Sequence, residues 1–423
     1  MRHYMLRLFV LAVMAVGFAP AAVDAQIYYN LIDLGTLDNS TPLLSSTARA
    51  INNLGQITGT AQDSTLNSQA FIWQSGTMTG LGYVSGSGAT YTEGRAINMS
   101  SHVAGNTIQQ IGTDPNTGDP IYVGRGFFYN GSTMSFVPNL SGGVTNAALG
   151  LNNAGVIAGY SNKTSEPSSA VYAYTYNTNT STLTELPTFE PGALLTQAFA
   201  INNAGRVVGR GFTTTGTGPT IQAFYWNPGD SSLTAIPLLP SQSGSDPELS
   251  SLANAINDAN YVVGISDVFF SNSTFELRQR AFLYLNGGTP IDLGVLGSGQ
   301  VSEARGINNS NIVVGYSTID SNFDTRAFIY RYTGGSDAMV DLNGLIDPSL
   351  NWVLQSAEAI NDQGWIVGYG INGNGDLHGY LLVPVPEPTT MVCLGLGTLG
   401  AAGFWYRRRQ RAKIILSDEV DEI

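Results

Sequence analysis

Cysteine, lysine and charge in general are scarce in this sequence of 423 residues, and each shortage excludes a class of protein. The lone Cys393 cannot form an intrachain disulfide and cannot by itself make a cysteine-based zinc site. Only 12% of the residues are charged. Between Gln26 and Pro388 there are 11 basic and 26 acidic residues. Proteins that follow nucleic-acid phosphates need clustered Lys and Arg, so the sequence excludes a nucleic-acid binder.

Glycine and apolar residues are abundant instead. The chain has 50 glycines, and 43% of its residues are hydrophobic. Disordered chains are poor in aromatic and β-branched residues, whereas this chain is 10% aromatic. The composition therefore predicts a folded, turn-dense protein with a large core.

The N-terminus has the three parts of a secretory signal peptide. Arg2 and Arg7 form a basic region, residues 8–19 are apolar, and Val23-Asp24-Ala25 is a small-residue cleavage site. We therefore expect a signal peptide over residues 1–25 and a mature chain that starts at Gln26. The alternative, an uncleaved membrane anchor, would need a longer apolar run.

The C-terminal region contains a candidate transmembrane helix over residues 389–406, which are all uncharged. As a helix this segment is roughly 27 Å long, close to the hydrocarbon thickness of a bilayer. An aromatic group, Phe404 to Tyr406, precedes four arginines: Arg407, Arg408, Arg409 and Arg411. By the positive-inside rule, residues 412–423 form a cytoplasmic tail and the rest of the chain lies outside.

The segment over residues 385–411 resembles the PEP-CTERM sorting signal of bacterial exported proteins. It combines Pro386, Glu387 and Pro388 with a glycine-rich apolar stretch and an arginine cluster. The resemblance implies an exosortase-type processing enzyme as partner, removal of the tail, and export often associated with exopolysaccharide or biofilm matrix. Such signals usually end soon after the arginines, whereas this chain continues for 12 residues. The alternative is an ordinary single-span anchor.

Residues 26–384 contain seven repeats. A block of the form small-x-small-Ile/Leu-Asn ends at Asn52, Asn98, Asn152, Asn202, Asn257, Asn308 and Asn361, and a glycine follows seven residues after each asparagine. Later in most repeats comes an Ala-Phe-x-Trp/Tyr block. The ARAINNLGQITG and AFIW blocks resemble HAF repeats of bacterial extracellular proteins. That resemblance implies an extracellular location and a β-rich repeat fold, without an established common chemistry.

Each repeat predicts a tight turn between two antiparallel strands. Three residues after each repeat asparagine stands Gly or Asn in six of the seven repeats, and Ser101 in the other. Gly and Asn tolerate positive φ, as a type I turn with a left-handed bulge residue requires. The asparagines could instead form a ladder that binds a ligand, but asparagine commonly stabilises turns through its own backbone.

The predicted fold is all-β, a seven-bladed β-propeller of four-stranded repeats of about 50 residues. A β-solenoid is the alternative, although its coils are normally shorter. The seventh repeat lacks a fourth strand, while residues 32–37 are a surplus copy of that strand at the N-terminus. We therefore expect the N-terminal strand to close the ring, with the small-x-small strands innermost.

Motifs for catalysis or for a metal are weak, so we expect neither a cofactor nor a metal. The chain has no G-x-S-x-G and no H-E-x-x-H motif. His102 and His378 lie in different repeats. Residues 320–324 have the alternating oxygens of a calcium loop, but Thr325 replaces the expected glycine. Residues 114–119 are a weaker candidate of the same kind.

The residue between the two small positions is charged in four repeats that become neighbours when the ring closes: Arg305, Glu358, Arg49 and Arg95. Glu93 and Glu303 precede two of these arginines by two residues. One interpretation is a salt-bridged inner wall, because buried charges need partners. The other is a mouth that binds the carboxylate of an acidic sugar or peptide, because arginine offers a bidentate fork.

The leading hypothesis is an exported, envelope-sorted module that binds or organises cell-surface or matrix material and is not an enzyme. The alternative is an extracellular carbohydrate-active hydrolase or lyase. Acids, bases or metal ligands converging without partners on one face would favour the enzyme.

Overall fold

The computed structural model describes residues 27–41, 43–163, 170–213, 220–240, 249–270, 276–335 and 337–385. The predicted signal peptide, the sorting motif Pro386 to Pro388, the helix over 389–406, the arginines Arg407 to Arg411 and the tail over 412–423 lie outside these residues.

Tyr28–Val385 form one compact unit of seven four-stranded antiparallel sheets. Blade 1 contains β2 (Ser46–Ile51), β3 (Ile57–Gln62), β4 (Ser68–Gln74) and β5 (Thr77–Gly80). Blade 2 contains β6 (Thr92–Ile97), β7 (Val103–Thr113), β8 (Pro120–Tyr129) and β9 (Met134–Phe136). Blade 3 contains β10 (Asn146–Leu151), β11 (Val156–Ser161), β12 (Tyr172–Asn177) and β13 (Thr182–Glu185).

Blade 4 contains β14 (Thr196–Ile201), β15 (Val207–Thr213), β16 (Thr220–Trp226) and β17 (Thr234–Ala235). Blade 5 contains β18 (Ser251–Ile256), β19 (Val262–Phe270), β20 (Glu276–Tyr284) and β21 (Ile291–Asp292). Blade 6 contains β22 (Ser302–Ile307), β23 (Ile312–Thr318), β24 (Thr325–Arg331) and β25 (Val340–Asp341). Two 3₁₀ turns, Leu342–Leu345 and Pro348–Leu350, lead into blade 7.

Blade 7 joins the two ends of the propeller. It contains β26 (Val353–Ile360), β27 (Ile366–Ile371), β28 (Leu377–Pro384) and the N-terminal β1 (Tyr29–Asp33). β1 pairs antiparallel with β28, with Leu31 opposite Leu382. The predicted all-β, seven-bladed propeller of four-stranded blades is confirmed, and its last sheet includes the N-terminal strand.

The core lies between adjacent blades. The third strand of every blade contributes one fully buried aromatic side chain: Phe71, Phe127, Tyr174, Phe224, Phe282, Phe328 and Tyr380. One cluster packs Phe71 of blade 1 against Val367 and Leu381 of blade 7 and against Leu34, which follows β1. Apolar burial therefore links the first blade to the last.

The first two strands of each blade meet at the predicted turn. All seven residues three positions after the repeat asparagine have positive φ, including Ser101 at 62°. The side-chain oxygen of Asn308 accepts hydrogen bonds from the backbone N–H groups of Ser310 and Ile312, at 3.0 and 2.9 Å. The asparagine thus stabilises its own turn, as the sequence predicts.

The same asparagines also link the blades. Each side-chain nitrogen donates to the backbone oxygen of the repeat asparagine in the next blade, at 2.9–3.2 Å. The seventh bond runs from Asn361 to Asn52 and closes the circle. The asparagines are buried, so this ladder is a structural ring rather than an exposed ligand site.

Candidate functional site

A β-bulge interrupts the innermost strand of every blade. The pairing register shifts between the two small residues of each repeat, as between Ala48 and Ala50. The residue between them is left out of the strand pairing. A bulge re-aims this extra side chain, and here the extra residues differ from blade to blade.

The repeat glycine makes this bulge possible. A Cβ placed on Gly264 would lie 2.0 Å from the backbone oxygen of Leu252. The equivalent distance is 1.9–2.0 Å in the other six blades, far inside van der Waals contact. The bulge on the first strand brings a backbone carbonyl against the repeat glycine of the second strand. Every blade therefore needs a glycine at this position, because any Cβ would overlap the carbonyl oxygen.

All seven bulge residues line one axial cavity of about 390 Å³. They are Arg49, Arg95, Leu149, Phe199, Asn254, Arg305 and Glu358. The structure thus brings together the four residues of the predicted charged arc, Arg305, Glu358, Arg49 and Arg95. The volume falls in the range of small-molecule pockets.

The charged side of the cavity is a continuous chain of alternating charges. Arg49 Nη1 lies 2.9 Å from Glu358 Oε2, and Arg49 Nε lies 3.1 Å from Glu93 Oε1. Arg95 Nη1 reaches the same Glu93 oxygen at 3.3 Å. Glu358 joins the chain to Arg305, whose Nη1 is 3.8 Å from Oε2. Each arginine of the predicted arc therefore has a carboxylate partner.

Arg305 is held mainly by Glu303. Its Nη2 donates to Glu303 Oε2 at 3.3 Å. Its Nε lies 3.0 Å from Oε1, which makes an ion pair but not an aligned hydrogen bond. Asn254 also donates to Glu303 Oε1 at 2.8 Å, so the chain ends in a neutral amide on blade 5.

Pairing keeps these groups ionised although they are largely buried. Burial alone would raise the pKa of Glu358, but the Arg305 and Arg49 guanidiniums and the Ser356 hydroxyl lower it. Burial alone would lower the pKa of Arg49 and of Arg305. Glu358 and Glu93 outweigh burial at Arg49, and Glu358 and Glu303 outweigh it at Arg305, so both pKa values are raised. The geometry therefore favours the salt-bridged wall among the two interpretations of the arc.

Two tyrosines complete this side. Tyr316 donates to Glu303 Oε2 at 2.9 Å, and Tyr91 donates to Glu93 Oε2 at 3.1 Å. Burial and the neighbouring glutamate raise the pKa of each tyrosine to about 12. Both hydroxyls therefore remain protonated at neutral pH.

The opposite side of the cavity is apolar except for one cation. Leu149, Phe199 and Leu252 line it together with Arg210, which lies on β15 directly after the repeat glycine Gly209. Arg210 lies outside the bulge position, and the repeat pattern at that position does not reveal it. The signal that could have revealed it is at the position directly after the repeat glycine, where only blade 4 has an arginine.

The other candidate site residues predicted from the sequence lie outside the axial cavity. His378 pairs with Asp33 at the ring closure, 2.9 Å from Nδ1 to Oδ1, and His102 packs edge-on against Phe128. Asp320 accepts from the backbone of Asn322 in its own loop. Among the described residues, no group of three or more His, Cys, Asp or Glu side chains could hold a metal ion.

No helix in the described part of the chain is both long and apolar enough to cross a bilayer. The predicted helix over 389–406 lies outside that part.

Residues 384–409 match the PEP-CTERM protein-sorting motif. The match includes Pro386, Glu387 and Pro388 and the arginines Arg407 to Arg409, so the predicted sorting motif is confirmed. The motif implies export to the cell envelope and processing by an exosortase.

Three of the solved structures to which the chain is similar have low sequence identity to it. The β-propeller domain of the Trilobed protease from Pyrococcus furiosus is 10% identical over 72% of this chain and 85% of that chain, with a TM-score of 0.44. An ulvan lyase is 11% identical over 85% and 94%, with a TM-score of 0.41. The Aleuria aurantia lectin is 11% identical over 82% and 98%, with a TM-score of 0.34.

None of the curated proteins compared with the chain matches it. The narrower resemblance to HAF-type repeats stays a prediction. Two overlapping matches, over residues 139–291 and 190–377, are to the family described as "Protein of unknown function (DUF3466)". Together they span more than half of the sequence, and the chain therefore belongs to this family.

Proposed function

We propose that this protein is an exported binding module that holds a ligand in its axial cavity without transforming it. The observation that carries the proposal is the convergence of all seven bulge residues on one cavity. The asparagines, glycines and small positions repeat around the ring, while the bulge residues differ from blade to blade. Asymmetry at the residues that line a cavity favours recognition of one ligand.

The state of the acidic groups supports binding rather than catalysis. A glycosidase needs one carboxylic acid with a raised pKa to protonate the leaving group. The pKa of Glu358 is lowered instead, by Arg305 and Arg49 against the effect of burial, and Glu93 and Glu303 are also paired with arginines. Tyr316, with a pKa of about 12, is a poor general base at neutral pH.

A cavity-filling variant tests the proposal. Leu149→Trp occupies space in the cavity without removing an ion pair, and Leu194→Trp, at a side chain that is 41% exposed, is the matched control. We expect the propeller over residues 26–384 to bind acidic glycans on an array and Leu149→Trp to lose that binding. The proposal fails if no glycan binds or if both variants bind like the parent.

The alternative is an extracellular carbohydrate-active hydrolase or lyase. The observation in its favour is that Glu303 and Arg305 line the cavity and contact each other, and that Tyr316 donates a hydrogen bond to Glu303. Incubation with acidic and neutral polysaccharides would reveal such an enzyme through new reducing ends or unsaturated uronates. If the parent cleaves a polysaccharide and Tyr316→Phe does not, the protein is an enzyme and the binding-module proposal is wrong.

We further propose that residues 1–25 are removed on export and that the helix over 389–406 holds the chain until the exosortase cleaves the tail. The propeller then remains at the cell surface or in the matrix, where exopolysaccharide is the expected partner. Immunoblotting both ends in cells with and without an active exosortase tests this. If full-length protein in exosortase-active cells still has its C-terminal DEVDEI sequence, the segment over 389–406 is a plain membrane anchor and is not processed.

A further inference from the structure

Building on the proposed function, we infer that Arg210 and Phe199 bind a hexuronic acid, with the guanidinium on its carboxylate and the aromatic ring against the C–H face of the sugar. The inference locates the anion-binding group opposite the charged arc. It therefore assigns recognition to a residue other than the paired arginines Arg49, Arg95 and Arg305.

Arg210 differs from the arc arginines in having no carboxylate partner among the described residues. Its Nε donates to the neutral side chain of Gln197, 2.8 Å from Oε1. The corresponding partner is a glutamate in blades 2 and 6, where Glu93 and Glu303 stand at the position of Gln197. Burial lowers the pKa of Arg210, whereas glutamates raise the pKa of Arg49 and Arg305.

This missing partner gives the cavity a net positive charge. The alternating chain is neutral, because three arginines face the three carboxylates of Glu93, Glu303 and Glu358. Arg210 adds one uncompensated cation to the same cavity. The surrounding protein is acidic, with a formal net charge of −13, so the cavity differs in sign from the chain as a whole and favours an anion.

The neighbours of Arg210 specify the kind of anion. The guanidinium carbon lies 5.6 Å from the centre of the Phe199 ring, and Leu149 and Leu252 extend this apolar wall. A small inorganic anion would leave the ring unused, and a neutral sugar would offer the guanidinium hydroxyl oxygens instead of a carboxylate. A hexuronate presents a carboxylate and an apolar C–H face together, which matches both.

The test uses the full chain in detergent, titrated calorimetrically with sodium glucuronate, glucose and sodium acetate. We expect glucuronate to bind more tightly than the other two. Arg210→Gln should weaken glucuronate binding roughly tenfold or more, because a hydrogen-bonded charge pair is lost. Arg206→Gln is the matched control, since Arg206 stacks on Tyr225 and bonds Asn227 rather than lining the cavity.

Arg210→Lys keeps the positive charge but loses the bidentate guanidinium, so this variant should bind glucuronate with intermediate affinity. If Arg210→Gln does not fold, Arg210→Lys serves as the test variant. Glucuronate binding that survives both substitutions but disappears in the triple variant Arg49→Gln, Arg95→Gln, Arg305→Gln overturns this inference and leaves the proposed function standing. Equal affinity for glucose and glucuronate overturns it as well. If no glycan binds to the cavity at all, the proposed function fails with it.

Discussion

At the residue scale, the repeat asparagine performs two tasks with one side chain. The oxygen of Asn308 stabilises its own turn, and the nitrogen donates to the backbone oxygen of Asn361 in the next blade, at 3.0 Å. Aspartate could perform the first task but not the second. This explains why the position is asparagine in every repeat, although aspartate is also common in turns.

We predict that Asn308→Asp lowers the free energy of unfolding by about 2 kcal/mol, because the Asn361 carbonyl loses its donor and faces a carboxylate instead. Asn116→Asp, on an exposed loop, should change stability by less than about 0.5 kcal/mol. Urea unfolding measures both. Equal effects of the two substitutions would contradict a structural role of the ladder.

Glu358 is the residue on which the charged chain depends, since it contacts both Arg49 and Arg305. Glu358→Gln should destabilise the protein by about 3 kcal/mol at pH 7, because two largely buried cations lose their shared partner. Glu185→Gln removes the exposed pair with Lys163 and should cost less than about 1 kcal/mol.

The pH dependence of this difference provides a second check. The folded-state pKa of Glu358 lies below its ordinary value, so its stabilising contribution is present above that ordinary value and is lost as the pH falls through the folded pKa. The gap between wild type and Glu358→Gln should therefore shrink in acid. A gap that is constant from pH 7 to pH 3 would argue against an ionic role.

At the element scale, the bulge, the glycine and the aromatic residue of a blade form one unit. In blade 5 the bulge of β18 presses the Leu252 carbonyl toward Gly264, and Phe282 of β20 pairs with the other side of that glycine. The Leu252 carbonyl leaves no room for a side chain at Gly264. The same unit recurs in all seven blades and keeps one side chain per blade directed at the axial cavity.

We predict that Gly264→Ala destabilises the protein by about 3 kcal/mol, the upper end of the range for overpacking, because backbone rather than a flexible side chain must move. Gly124→Ala in β8 is the matched control, since a Cβ there meets nothing within 4 Å. It should be neutral or slightly stabilising. Similar unfolding midpoints for the two variants would show that the bulge can relax.

The strand that closes the ring has its own ionic contact. Asp33 at the end of β1 meets His378 of β28, 2.9 Å from Oδ1 to Nδ1. The hydrogen bond to Asp33 raises the pKa of His378 above its ordinary 6.5. Burial would raise the pKa of Asp33, but hydrogen bonds from His378 and the Gly35 backbone hold it below 3.8.

This contact should make ring closure sensitive to pH. The His378 contribution is complete below pH 6.5 and is lost as the pH rises through the raised pKa, while the Asp33 contribution is lost in strong acid. His378→Gln should therefore lower the urea midpoint more at pH 5.5 than at pH 8.5. His102→Gln is the control variant, since His102 packs edge-on against Phe128 and has no carboxylate partner among the described residues.

At the scale of the whole molecule, three of the interactions that close the ring differ in how they depend on the N-terminal segment. β1 pairs with β28, Leu34 enters the core between blades 7 and 1, and Asn361 donates to Asn52. Only the last of these survives removal of the N-terminal segment. The other two depend on a strand that is far in sequence from its partner.

Deletion of residues 26–38 should therefore lower the denaturant midpoint and cause association, because β28 becomes an exposed sheet edge. Sedimentation and urea unfolding measure the two effects, and deletion of residues 26 and 27 is the control. A truncated protein that unfolds like the parent and stays monomeric would show that β1 is dispensable for closure.

The repeats, the turns, the strand count and the sorting motif can all be predicted from the sequence. These features depend on patterns within about 50 residues or on one contiguous segment, and turn preferences such as those of Gly55 or Asn260 act locally. That the N-terminus closes the ring could also be predicted, because Ile32 to Leu37 repeat a pattern that the seventh unit lacks. The predicted bounds were wrong, since β1 spans Tyr29–Asp33 and shares only its last two residues with that pattern.

The chemistry of the cavity was decided by tertiary structure. Whether an arginine is paired depends on side chains far apart in sequence: Arg49 meets Glu93 across 44 residues and Glu358 across 309. The bulges depend on a steric fit between two strands, which periodicity does not encode. Arg210 has no carboxylate partner among the described residues, because Gln197 occupies the place of a glutamate beside it, and only the folded strands place those two residues together.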